Sequence, residues 1–191
     1  MNKENKKQVI FMLLVAVFLF IILIGIFLFY KNFKQNSTDF ITTSFEGPKT
    51  ITISSTLPIS DELGKKLDGK GTKKGIQGYT EFTIKNNSNK NITYEICIDK
   101  EENKKEIRGN YIKFYLTDEI NNPVKGFDTS EIPTYNDLLS LNDSPRMRLV
   151  NSAKINKKET KKFVLRAWLS DSYTVSSENK DFSFDIVVKT H

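Results

Sequence analysis

Lysines are the residues best placed to do chemistry in this chain. From Gly64 to Lys74 it reads GKKLDGKGTKK, so that Lys65, Lys66, Lys70, Lys73 and Lys74 stand against the single acid Asp68. Gly64 and Gly69 enclose four residues and Lys70 follows, which approaches the loop whose backbone N–H groups and lysine cradle a nucleotide's phosphates. The hydroxyl that such a loop needs for magnesium is replaced by Gly71, and no strand-loop-helix unit surrounds the segment, so phosphoryl transfer is excluded. What remains is a local excess of positive charge on a surface loop. These five lysines are the candidate contact with an anionic polymer or with lipid headgroups.

Other chemistry is poorly supplied. The only histidine is His191, and neither G-x-S-x-G nor H-E-x-x-H occurs, so the chain is read as non-enzymatic, with no cofactor and no metal. Asp99, Glu101, Asn103 and Glu106 are spaced somewhat like a calcium loop, but Lys104 occupies the glycine position and Asn110 the closing glutamate. Leu57-Pro58-Ile59-Ser60-Asp61 is similar to a wall-sorting signal, but no hydrophobic tail follows it. The single cysteine, Cys97, rules out an intramolecular disulfide framework. It shares a strand face with Thr93, Glu95 and Asp99, partly exposed or covered by a sheet edge. An unreactive strand position is expected there, with an intermolecular disulfide as the alternative.

The elements that must position these residues begin with a hydrophobic segment. Val9 to Tyr30 holds 22 residues without a charge. As a helix it would be about 33 Å long, against a hydrocarbon layer of ~30 Å. The run is longer than the apolar centre of a cleavable signal and no small-x-small site follows, so an uncleaved anchor is expected. Three lysines precede the segment and two follow it, which directs the remainder to the extracytoplasmic side by a thin margin. Residues 1–34 carry five lysines against Glu4, leaving 24 basic and 22 acidic side chains in the rest. The net charge of +6 therefore belongs mostly to the helix ends, and nucleic-acid binding loses its support.

The organisation that follows is a basic tail over 1–8, a transmembrane anchor over 9–30, a stalk over 31–48 and a globular domain over 49–191. In the last, apolar residues alternate with polar ones. Strands are predicted at Lys49–Leu57, Tyr79–Lys85, Ile92–Asp99, Tyr111–Thr117, Arg146–Val150, Lys162–Leu169 and Phe182–Lys189, each β-branched or aromatic and bounded by turn residues. The cluster NNSNKN, Asn86 to Asn91, predicts a hairpin between the second and third. Ser60–Gly75 and Glu101–Gly109 are charged connections expected to protrude, and Tyr135–Leu141 is the only helical candidate. In Lys162–Leu169, Trp168 faces away from Phe163 and Leu165 and is expected to anchor packing rather than a ligand. Mainly β architecture follows, a single Ig-like β-sandwich of about seven strands behind one N-terminal helix.

Gly78–Lys100 and Lys157–Val188, about 55 residues together, resemble the β-sandwich domains of Gram-positive envelope proteins, the group that includes camelysin and biofilm matrix fibre subunits. The resemblance implies a surface-displayed domain with a structural or adhesive role. The long uncleaved anchor departs from those fibre proteins. The expected function is a membrane-anchored extracytoplasmic binding or structural module, with the lipid bilayer and a protein or cell-wall polymer as partners. The alternative is a subunit of a multiprotein secretion or conjugation complex whose helix also packs with partners.

Overall fold

The computed structural model describes residues 3–36, 41–69, 78–102, 105–140 and 147–190. The chain divides into two compact units, Met1–Asp39 and Phe40–His191. The first holds α1 (Lys3–Asn36), built from the uncharged run and its lysine-bearing flanks. Among the described residues no helix is long and apolar enough to cross a membrane. The described side chains of α1 are those of Met12 to Leu28, 17 residues, whereas the span expected from the sequence runs from Val9 to Tyr30.

The second unit is mainly β, and its described residues form eight strands in two antiparallel sheets. They are β1 (Ile41–Phe45), β2 (Thr50–Ser54), β3 (Gly78–Asn86), β4 (Ile92–Lys100), β5 (Ile112–Asp118), β6 (Met147–Ile155), β7 (Thr160–Leu169) and β8 (Asp181–Thr190). One sheet has the order β1-β3-β7-β5 and the other β2-β8-β4-β6. Alternation drives the stacking: Phe82 and Ile84, Tyr94, Ile96 and Ile98, Phe114 and Leu116, Phe163 and Leu165, and Phe182, Phe184 and Ile186 are buried in one core cluster. Phe82 stacks on Phe163 at 5.6 Å, and Phe114, Tyr135, Phe182 and Phe184 form a second group of ring contacts. Such contacts favour one arrangement of the two layers beyond area burial alone. In β6, Asn151 and Ser152 together oppose Glu95, and Ser152 takes a φ of 58°, so the edge strand bulges there.

Four expectations are corrected. The residues read as a stalk include β1, which pairs with β3 from Ile41↔Asn86 to Phe45↔Phe82; Phe45 lies 5.7 Å from Phe82, so tertiary contact makes a strand of a weak local pattern. Asn86–Asn91 does not close a hairpin, because β3 and β4 belong to different sheets. Asn86 is completely buried and ties the crossing together. Its Nδ2 donates to Lys90 O at 2.7 Å and Asn156 O at 2.9 Å, while its Oδ1 accepts from Ser88 N at 2.9 Å and Ser88 Oγ at 2.8 Å. A side chain that satisfies two turns at once replaces the ladder a hairpin would have supplied.

The charged connections also fold back. Asp61–Lys65 forms a short helix, α2, and Gly64 within it is buried against the Trp168 ring, where a Cβ would come within 2.2 Å of Cε2. In Glu101–Gly109, Ile107 is fully buried and its N–H donates to Asp181 O, while Glu106 pairs with Lys100. Cys97 is 1 % exposed: β4 lies between β8 and β6, and Glu95 and Cys97 on its second face are buried as well. The predicted helix at Tyr135 is α3 (Tyr135–Ser140), begun by Thr134, whose N–H and Oγ1 both donate to Asp137 Oδ2.

Candidate functional site

The outer face of the first sheet carries the most concentrated polar chemistry. On β7, Phe163, Leu165, Ala167 and Leu169 fill the space between the sheets, and Lys162, Val164, Arg166 and Trp168 point the other way. The register sets their neighbours. Tyr79 on β3 and Tyr115 on β5 flank Arg166, and Glu81 and Thr117 flank Val164. Trp168 is covered by α2 and joins Ile59 and Ile132 in a small satellite core. Past α2 the chain runs over Arg166, which binds it.

Arg166 is only 6 % exposed. Its Nε donates to Leu67 O at 2.6 Å, Nη1 to Thr117 Oγ1 at 3.1 Å and Nη2 to Asn121 Oδ1 at 2.8 Å, and the guanidinium lies 5.7 Å from the Tyr79 ring centre. All three acceptors are neutral. Among the described residues no carboxylate pairs with it within 4.0 Å, and burial lowers the guanidinium's pKa. Asn121 is held by the turn before it: Asp118 Oδ1 accepts from Ile120 N at 3.0 Å and Asn122 N at 2.8 Å, and Asn121 takes a left-handed φ of 64°.

Beside Arg166 stands a closed relay of opposite charges. Tyr79 donates its hydroxyl to Glu81 at 2.5 Å, and Lys162 Nζ lies 2.6 Å from Glu81 and 3.0 Å from Glu46. The bonds from Lys162 and Tyr79 pull the Glu81 carboxyl below the ordinary range, and the two carboxylates raise the Lys162 ammonium. Burial, then the bond to Glu81, push Tyr79 up to about 12. A cavity of about 430 Å³ opens over this group, with Asp68, Glu119, Ile120 and Asn121 completing its wall. It can hold a small polar ligand against a buried cation.

Of the five lysines, Lys65 and Lys66 are among the described residues, and they take different partners. The Lys65 ammonium lies 5.7 Å from the Tyr115 ring, and Lys66 forms an exposed pair with Glu62 at 2.8 Å. Lys70, Lys73 and Lys74 lie outside the described residues. A second cavity, about 540 Å³, is bounded by Asp61, Lys113, Glu131 and Asp137, but three of these charges are used within the fold. Lys113 pairs with Asp61 at 3.3 Å and donates to Ile132 O, and Asp137 caps α3. Sequence reasoning missed Arg166, Tyr79, Glu81 and Lys162 as a group. The available signal was an arginine at the centre of an otherwise apolar strand, KFVLRAWL. No protein family, curated protein or solved structure matches the chain.

Proposed function

We propose that the chain is a membrane-anchored, extracytoplasmic and non-catalytic binding or structural module of the bacterial cell envelope. The observation that carries this reading is the run of 22 uncharged residues, Val9 to Tyr30, set between lysines and followed by an independent β unit. A helix apolar on every side finds its natural solvent in lipid rather than water. The near-neutral charge and single terminal histidine of the remainder support contact over catalysis, as does the likeness to envelope sandwich proteins.

Within this reading the β unit is Ig-like. β3 and β4 are successive strands in opposite sheets, as are β7 and β8, and β3 pairs with β7 while β4 pairs with β8. That is the relation of the four central strands of an immunoglobulin domain. The edges differ, since β2 lies beside β8 and β6 beside β4. The lysine-bearing α2 segment and the Arg166 cavity on the same sheet face are the contact surface in this proposal.

The test is fractionation followed by proteolysis. The full chain stays with carbonate-washed membranes, and protease added to wall-stripped cells releases the β unit. A full-length product found in the soluble fraction with its N-terminus intact overturns the proposal.

A further inference from the structure

We propose that the end of the β unit formed by the β3–β4 and β6–β7 turns docks on anionic lipid headgroups, through Lys85, Lys90, Lys154, Lys157 and Lys158. This deepens the membrane reading above and rests on it. Residues 85–91 and 154–161 together carry six lysines and one acid, Glu159. Glu159 is engaged locally: its Oε2 accepts from Asn156 N at 2.6 Å, and its Oε1 lies 4.0 Å from Lys161 Nζ. The other five lysines are exposed, and among the described residues none of them pairs with a carboxylate within 4.0 Å. Elsewhere on the unit Lys49, Lys66, Lys100, Lys113, Lys162 and Lys180 each have a carboxylate within that distance. The charge of this end, by contrast, is left for an outside partner.

Solvation is the ordinary fate of surface lysines, and two features set these apart. The two turns are fixed to each other. Asn86 bonds both, Lys158 Nζ donates to Asn87 O at 2.7 Å, Lys157 N donates to Asn91 Oδ1 at 3.0 Å, and Lys161 Nζ donates to Lys154 O at 2.8 Å. The backbone that carries the lysines is therefore ordered before any partner arrives. The chain also enters the β unit at this end. β1 begins at Ile41, opposite Asn86, and only residues 31–40 separate it from the close of the uncharged run at Tyr30. A bilayer that holds that run offers its headgroups at the other end of a short tether. Anionic lipid attracts each nearby lysine by a factor of roughly five, an effect that fades within a Debye length of about 10 Å. A phosphate polymer of the wall carries the same charge but has no such fixed place along the chain.

The experiment places the full chain in nanodiscs of phosphatidylcholine, alone or mixed with phosphatidylglycerol, and follows lysine acylation by an uncharged reagent with mass spectrometry. Acylation of Lys85, Lys90 and Lys157, relative to Lys65 and Lys66, is expected to slow at least about threefold in the anionic discs, and high salt should restore it. The triple variant Lys85→Gln, Lys90→Gln and Lys157→Gln, at three exposed positions, should release Lys154 and Lys158 from the same protection. The proposal is overturned if the ratio is equal in both discs, if Lys65 and Lys66 are slowed as much, or if the triple variant keeps the protection. It is also overturned if soluble polyphosphate protects these lysines in phosphatidylcholine discs as fully as the anionic bilayer does, which assigns the surface to a phosphate polymer. A chain that does not enter the discs refutes the anchor instead. Flotation with phosphatidylglycerol vesicles then tests the basic end by itself: no salt-sensitive flotation, or flotation that the triple variant retains in full, overturns it.

Discussion

Replacing Asn86 with alanine tests the claim that one side chain holds the crossing between the sheets. The substitution removes four well-formed hydrogen bonds: two donated by Nδ2, at 2.7 and 2.9 Å, and two accepted by Oδ1, at 2.8 and 2.9 Å. The backbone bond from Asn86 N to Glu159 O survives. At a net ~1 kcal/mol per bond the loss is about 3–4 kcal/mol. Lys90 and Asn156 are exposed residues, so water can reach part of what their carbonyls lose and the figure belongs at the lower end, near 3 kcal/mol. Against a total stability on the order of 5–15 kcal/mol, that is a large fraction. Urea unfolding followed by Trp168 fluorescence should show a lower midpoint with an unchanged slope. Asn86→Asp refines the test, because an ionised carboxylate would face two carbonyl oxygens where the amide now donates. The folded state raises that carboxyl's pKa, so the stability linked to its protonated form is present at low pH and lost as pH rises. Asn86→Asp should therefore be the worse variant at neutral pH and gain on Asn86→Ala in acid. A cost below about 1 kcal/mol for the alanine variant, or an aspartate variant as stable as the parent at neutral pH, would refute the reasoning.

Gly64→Ala places a methyl group within 2.2 Å of the Trp168 ring, so α2 must lift from the sheet. A loss of about 1–3 kcal/mol and a red shift of the now wetted tryptophan are expected, and an unshifted emission would contradict the packing. Tyr79 and Tyr94, both pushed up to about 12, and Tyr135, also raised by burial, should ionise above the ordinary tyrosine range in an absorbance titration. For Tyr94 the cause is chiefly burial, and the stability tied to its neutral form is intact below its ordinary pKa and disappears as pH rises from about 10 to about 12. Glu81 and Asp137 are held below the ordinary carboxylate range, so their contribution is present above that range and is lost as pH falls through it. Lys162→Met should move the Glu81 part of that acid transition upward and leave the Asp137 part in place, as carboxyl chemical shifts would show.

All seven predicted strands are present as β2 to β8, since period-two alternation of β-branched and aromatic residues records which face meets the other sheet. Three features were not legible because their causes are remote in sequence. ITTSF alternates over only five residues and becomes β1 through its pairing with β3. The asparagine-rich turn suits a hairpin or a crossing equally, and the difference lies in Asn156, 70 positions away. A glycine in DELGK argues against a helix locally; contact with Trp168 makes glycine the only residue that fits. The Arg166 cavity combines both problems. Each side chain is visible in its strand, but their meeting depends on the pairing Tyr79↔Arg166 across 87 positions and on Asn121 in a separate loop.

β8 sits inside its sheet between β2 and β4, which have no direct pairing with each other. Thr50–Ser54 therefore waits for Asp181–Asp185, and Tyr94–Lys100 for Phe184–Thr190. On the ribosome these strands are synthesised long before the one that joins them. Assembly of this layer consequently awaits β8, and losing Asp181–Thr190 would withdraw an interior member of the sheet and not merely trim its border.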